Sequence, residues 1–100
     1  MNENIGMQRV HLIISGNVQG VGFRSWTKWQ AKKLGLTGWV KNRDDATVEL
    51  VAEGLEEQLK ELVKRCHKGP GSPAGGALVK HVDVLWLDAT GEYDIFEVVH

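Results

Sequence analysis

The chain has one cysteine, no long apolar run and almost no net charge, and each scarcity excludes a class of protein. Because Cys66 is the only cysteine in 100 residues, an intramolecular disulfide and a zinc cluster built on several thiolates are both excluded. No apolar stretch approaches membrane-spanning length, and residues 1–6 lack the apolar core of a signal peptide. We expect a cytoplasmic protein with a loose N-terminal leader at residues 1–7 and a single domain at residues 8–100.

The charge balance argues against nucleic acid as a partner. The formal net charge is −1, whereas proteins that bind nucleic acid through electrostatics are normally clearly basic. Several candidate outward positions on the predicted strands are acidic, namely Glu49, Glu53 and Asp83. Trp26 and Trp29 could serve as stacking platforms for bases. Large aromatic residues on an amphipathic helix more often pack in the core or at its rim, and we favour that interpretation.

Hydrophobic periodicity divides the chain into five strands and two helices. Alternating apolar residues predict strands at residues 10–14, 37–41, 47–53, 79–87 and 93–99. Apolar residues at helical spacing predict a helix over residues 55–66, with Cys66 as a buried, unreactive thiol, and a second helix over residues 25–34. The order β-α-β-β-α-β plus a short C-terminal strand predicts an α+β fold. It matches the ferredoxin-like split βαβ sandwich, with two helices on one face of a mainly antiparallel sheet.

Two connections are rich in turn-forming residues. Residues 42–46 form a polar turn between two predicted strands. The neighbouring carboxylates Asp44 and Asp45 raise the alternative of a metal site, but turn chemistry explains them as well, and we expect no metal. Residues 69–76 consist of Gly, Pro, Ser and Ala and predict a mobile loop.

The most informative stretch is the glycine-rich segment G-N-V-Q-G-V-G-F-R at residues 16–24, between the first strand and the first helix. A glycine-rich turn before a helix directs several N–H groups into one concavity, where the helix dipole adds positive potential. Arg24 adds a planar fork of donors suited to phosphate oxygens. The spacing G-x-x-x-G-x-G is neither the dinucleotide fingerprint nor the Walker loop, so an ordinary strand-to-helix connection is the alternative. The arginine favours an anion cradle.

The predicted topology brings this segment close to a second motif. In a split βαβ unit the first and second strands run parallel, so their carboxyl ends lie at the same edge of the sheet. The glycine-rich segment follows the first strand, and Asn42 ends the second. We therefore expect Arg24 and Asn42 to face a common cleft.

Residues 16–24 together with G-W-V-K-N-R at residues 38–43 resemble the acylphosphatases, small cytoplasmic hydrolases of carboxyl–phosphate anhydrides. The two motifs have the family's order and spacing, and the resemblance covers nearly the whole chain. It implies a metal-independent hydrolase, an acylphosphatase that converts small acyl phosphates to carboxylate and inorganic phosphate. The resemblance also implies that the protein is a monomer that needs no cofactor and acts on a small acyl phosphate. It implies that neither nucleic acid nor a membrane is a partner.

Carried over by position, the resemblance makes Arg24 the phosphate-binding arginine and Asn42 the residue that orients the attacking water. The phosphate-binding backbone, called the cradle below, comprises Gln19, Gly20, Val21, Gly22, Phe23 and Arg24. The family usually has glycine where Ala46 stands, and a positive φ there would cost alanine on the order of 1 kcal/mol. A non-catalytic phosphate-binding or interaction module of the same fold is the alternative function.

Overall fold

The computed structural model describes residues 6–71 and 76–100, which form a five-stranded sheet and two helices. The elements in chain order are β1 (Met7–Asn17), α1 (Phe23–Lys33), β2 (Thr37–Asn42), β3 (Val48–Leu55), α2 (Glu56–Lys68), β4 (Leu78–Asp88) and β5 (Phe96–Val99). The strand order is β4-β1-β3-β2-β5. The predicted ferredoxin-like α+β sandwich is confirmed.

The sheet is antiparallel except at one edge. β3 pairs antiparallel with both β1 and β2, and β1 also pairs antiparallel with β4, whereas β5 pairs parallel with β2. β1 and β2 therefore run parallel on either side of β3, and their last residues, Asn17 and Asn42, lie at the same edge of the sheet. This is the arrangement that the sequence pattern predicted.

The core lies between the sheet and the two helices. Alternate residues of β1 are fully buried and pair with equally buried residues of β3, as in the pair of Leu12 and Leu50. α2 buries Leu59, Leu62 and Cys66 in one stripe, as its leucine spacing predicted. Burial raises the pKa of the Cys66 thiol to about 12, because an apolar environment disfavours the thiolate. The prediction of a buried, unreactive cysteine is confirmed.

The two predicted flexible segments fall largely outside the described residues. Residues 1–5 of the expected leader and residues 72–75 of the expected loop are not among them. Met7, placed at the end of the leader by the sequence, already belongs to β1 and pairs with Leu55. Within the described residues, neither helix has the length and apolar character needed to cross a bilayer.

The face of the sheet opposite the helices is partly covered by the β4–β5 connection. Glu53 of β3 accepts hydrogen bonds from the backbone N–H groups of Thr90 (2.9 Å) and Gly91 (3.0 Å) and from Nε of Arg9 (2.7 Å). Its side chain is only 2% exposed. Glu53 therefore lies on the face away from the helices, as predicted, but that position is not open, because the connection from one sheet edge to the other crosses over it.

Candidate active site

The cradle is shaped by two glycines with left-handed backbone. Gly20 has a φ of 73° and Gly22 a φ of 76°, and α1 begins at Phe23 directly after them. A Cβ atom built on either glycine would meet no atom within 4 Å. Glycine is therefore required here by the backbone conformation and not by crowding, since other residues pay roughly 1–2 kcal/mol to adopt it.

This backbone leaves a row of amide groups without acceptors. The first backbone bond of α1 runs from the N–H of Trp26 to the carbonyl of Gly22 (3.0 Å). Within the described residues, the N–H groups of residues 20–25 have no hydrogen-bond acceptor. Unpaired N–H groups at a helix N-terminus form an anion-binding site, to which the helix dipole adds positive potential.

Arg24 lies at the end of this row with its side chain half-buried. Its Nη1 donates to Nδ1 of His100 at 3.3 Å and, at 3.5 Å, points toward the carbonyl of Val99 at the end of β5. Its Nε and Nη2 groups have no acceptor among the described residues. Val99 pairs with Lys41 of β2, the residue that precedes Asn42. The guanidinium thus reaches from α1 to the strand beside β2 and keeps donors for an anion.

Asn42 ends β2 and pairs with the buried Val48, so strand alternation places it on the same face of the sheet as Val40 and the helices. Its Oδ1 is buried and has no hydrogen-bond donor in the described part of the chain. A buried carbonyl oxygen without a donor costs roughly 1–3 kcal/mol, unless water or a ligand supplies one. Oδ1 of Asn42 is therefore an oriented hydrogen-bond acceptor at the same edge of the sheet as the cradle.

Arg24 and Asn42 lie at the same edge of the sheet, as expected, but they line two separate depressions and not the single common cleft that the sequence predicted. Arg24 lines a cavity of about 400 Å³ between α1 and the end of β5. Asn42 lines a second depression together with the turn that follows it. Gln19 connects the cradle to this turn, since its Nε2 donates to the carbonyls of Arg43 and Thr47, both at 2.8 Å. The sequence pattern assigned only the backbone of Gln19 to the site and did not predict this side-chain contact.

The turn after Asn42 is a tight hairpin with an unusual alanine. The N–H of Arg43 donates to the carbonyl of Thr47 (2.9 Å), and Ala46 has a φ of 71°, the only positive φ of a non-glycine residue in the described ranges. Asp45 Oδ1 accepts from Oγ1 (2.5 Å) and N–H (3.1 Å) of Thr47, which lowers the pKa of Asp45. This carboxylate is thus engaged in the turn. Within residues 6–71 and 76–100, no three His, Cys, Asp or Glu side chains are grouped to hold a metal ion.

Several residues that line the cavity beside Arg24 were not assigned to the site by the sequence analysis. Trp29 lines it and is 63% exposed, so the expected packing role fails for Trp29. The packing role is confirmed for Trp26, whose ring centroid lies 5.6 Å from that of Phe23. Further along α1, Lys28 and Lys32 line the same cavity. Their spacing of four and eight residues from Arg24 is the signal that could have placed them there.

Fold and candidate site together define a small α+β domain with a row of unpaired backbone amides at the N-terminus of a helix. A sequence model of the family described as acylphosphatase matches residues 10–98. The chain therefore belongs to the acylphosphatase family, whose members are hydrolases that act on acid anhydrides. The resemblance of residues 16–24 and 38–43 to this family is confirmed.

Individual relatives agree with this assignment over nearly the whole chain. The chain is 51% identical to the acylphosphatase of Pelotomaculum thermopropionicum over 90 residues. This match covers 90% of the chain and 94% of the relative. The acylphosphatase structure from Coxiella burnetii superimposes with a TM-score of 0.87 at 35% identity, covering 99% of this chain and 100% of the other. The Bacillus subtilis acylphosphatase structure superimposes with a TM-score of 0.85 at 38% identity, and the match covers 93% of this chain and 99% of the other.

Proposed function

We propose that this chain hydrolyses the carboxyl–phosphate anhydride bond of small acyl phosphates, giving a carboxylate and inorganic phosphate. The observation that carries the proposal is the row of unpaired amides at residues 20–25, which ends beside the free donors of Arg24. Hydrolysis of a phosphoryl compound develops charge on the phosphoryl oxygens, and donors that are fixed before the reaction stabilise that charge. Membership in the acylphosphatase family supports the same substrate class.

In this proposal the phosphoryl group is bound by the cradle backbone, Gln19 to Arg24, and by the Arg24 guanidinium. Arginine presents a planar fork that matches two phosphate oxygens at once, while the amides hold the remaining oxygen atoms. Gly20, Gly22, Phe23 and Arg24 line one cavity, so little reorganisation would be needed when the substrate binds. Because they supply the positive potential themselves, the proposed mechanism uses no metal ion and no cofactor.

Asn42 is proposed to orient the attacking water. Its amide does not titrate in water and cannot act as a base, but its buried, unpaired Oδ1 can accept a hydrogen bond from a water molecule. The water oxygen forms a bond to phosphorus while the bond from phosphorus to the acyl oxygen breaks, and that electron pair leaves with the carboxylate. A carboxylate is a weak base, so no general acid is needed. The proton of the water passes to a phosphoryl oxygen of the substrate.

The proposal is tested by measuring phosphate release from acetyl phosphate and from p-nitrophenyl phosphate, each with and without a strong chelator. We expect acetyl phosphate to be hydrolysed at an unchanged rate in the chelator, and the ester to be hydrolysed far more slowly, because its leaving group is more basic. Loss of activity on chelation would contradict the metal-independent mechanism. Tight binding of phosphate without any turnover would instead favour a non-catalytic phosphate-binding module. A cytoplasmic location and a monomeric state stay predictions of the sequence.

The role of Arg24 is tested by Arg24→Lys, which keeps the charge but removes the planar fork. We expect kcat for acetyl phosphate to fall by at least about 10²–10³-fold, the loss typical of one missing transition-state donor. Arg65→Lys is the matched control, because Arg65 lies on α2 and pairs with Glu61 (2.9 Å). Near-normal turnover of Arg24→Lys would remove Arg24 from the mechanism.

A further inference from the structure

We infer that the site prefers acyl phosphates whose acyl group carries a second anionic group, which Lys28 and Lys32 bind. The preferred substrates would then be acyl phosphates of dicarboxylic acids. This inference rests on the proposed function and names the part of the site that contacts the acyl group.

The first observation is a row of three cations along α1. Arg24, Lys28 and Lys32 follow one another at intervals of four residues and therefore lie on one face of the helix, each about one turn or 6 Å from the next. All three line the cavity of about 400 Å³ between α1 and the end of β5. A phosphoryl group on Arg24 would place the far end of a four-carbon acyl chain about one helical turn away, next to Lys28.

The second observation is that the two lysines are not engaged elsewhere. In the described part of the chain, neither Lys28 nor Lys32 has a carboxylate within 4.0 Å, whereas Lys60 and Arg65 on α2 pair with glutamates of their own helix. Two acidic residues, Asp94 and Glu97, line an adjoining groove toward the other end of α1, which Lys28 and Lys32 also line. They weaken the positive potential there but do not line the cavity that contains Arg24.

Lys28 is the stronger of the two candidates. Its side chain is half-buried, whereas that of Lys32 is exposed. A partly buried charge is screened less by water and salt than an exposed one, so a carboxylate gains more from contact with Lys28. The exposed indole of Trp29 and the side chain of Val98 complete the walls and offer apolar surface to the carbon chain between the two anionic ends.

The proposed mechanism adds an argument from the direction in which the water would attack. In phosphoryl transfer the entering and leaving oxygens stand roughly in line on opposite sides of phosphorus. Asn42 lies on β2 and would hold the water on the side of the β2–β3 turn. The leaving acyl group then points to the other side, toward α1 and the cavity that contains Lys28.

The inference is tested by comparing kcat/KM for succinyl phosphate, which carries a second carboxylate, with that for acetyl phosphate. We expect the wild-type ratio to exceed one and to fall as ionic strength rises, because the additional attraction is electrostatic. Lys28→Gln should lower the ratio about twofold to fivefold, in the range of one partly exposed ion pair. Using the ratio cancels any effect of the variant on folding or on phosphoryl binding.

Lys33→Gln is the matched control, because Lys33 is an exposed lysine of the same helix that does not line the cavity. An equal fall of the ratio in Lys33→Gln and Lys28→Gln would overturn the inference and indicate a general effect of net charge. A wild-type ratio of one or less, or a preference for benzoyl over succinyl phosphate, would also overturn it while the proposed function stands. Failure to hydrolyse any acyl phosphate would instead contradict the proposed function.

Discussion

Asn42 places an amide oxygen where no group of the described chain donates to it. Most buried polar groups in proteins have a partner, and an unpaired one at a sheet edge needs an explanation. The proposed mechanism supplies one: the unpaired N–H groups of the cradle would bind the phosphoryl group, and Oδ1 of Asn42 would accept a hydrogen bond from the attacking water. The resemblance to the acylphosphatases implied this division of roles, and the residue types are compatible with it, since arginine can only donate and the asparagine oxygen can only accept.

We expect Asn42→Ala to reduce turnover more than phosphate binding, because the variant loses the water acceptor while the cradle and Arg24 stay in place. The measurements are kcat for acetyl phosphate and the inhibition constant of inorganic phosphate. Lys41→Gln is the control, since Lys41 is the preceding residue on the opposite face of β2 and lies 3.9 Å from Glu49. A larger change in the inhibition constant than in kcat would make Asn42 a binding residue only.

The β2–β3 hairpin shows how an element holds a conformation that its sequence disfavours. Ala46 adopts a φ of 71°, although alanine pays on the order of 1 kcal/mol for it. Two contacts of Gln19 and the bonds from Thr47 to Asp45 hold the turn in place. The turn therefore has a left-handed backbone that glycine would adopt without strain, and alanine at this position costs stability.

We predict that Ala46→Gly raises the free energy of unfolding by roughly 1 kcal/mol, because it removes the strain of the left-handed backbone. Equilibrium unfolding in urea measures the change. Ala31→Gly is the comparison, since Ala31 is buried in α1 and glycine in a helix should destabilise the protein by at least about 1 kcal/mol. A destabilising effect of Ala46→Gly would show that the alanine methyl group makes a contact that outweighs the strain.

Element types were predicted well, and element ends less well. α1 begins at Phe23 and not at residue 25, because the left-handed Gly22 ends the loop directly before it. β5 spans only Phe96–Val99, although the alternating pattern began at residue 93. Tyr93 belongs instead to the connection, where its hydroxyl accepts a hydrogen bond from Nε1 of Trp39 (3.1 Å). A contact with a residue 54 positions away leaves no local pattern in the sequence.

The β4–β5 connection is a feature of the whole molecule, because it joins the two edge strands of the sheet. Its anchor is the carboxylate of Glu53, near the middle of the sheet. Burial alone would raise the pKa of Glu53, but hydrogen bonds from the N–H of Thr90, from Arg9 and from the N–H of Gly91 outweigh burial, and the pKa lies below its usual value. The charged form of Glu53 thus stabilises the fold.

Because the pKa of Glu53 is lower in the folded than in the unfolded state, its contribution to stability is present above the usual value of 4.5 and is lost as the pH falls below it. We expect Glu53→Gln to lower the free energy of unfolding by roughly 2–3 kcal/mol at pH 7 and by much less near pH 3. Urea unfolding at both pH values measures this. In the control Glu97→Gln, which changes an exposed residue of β5, stability should change little. An equal loss at both pH values would contradict the role of the Glu53 charge.

The sequence by itself determined the order of the elements, the faces that alternate toward the core, and the two motifs that carry the site. These are local properties, since the glycine spacing and the periods of strands and helices can each be recognised within about ten consecutive residues. Only the tertiary structure decided that Glu53 is covered, that Trp29 is exposed, and that Lys28 and Lys32 extend the cavity beside Arg24. Each of those outcomes depends on which distant segment packs against a residue, and such pairings follow from the whole fold.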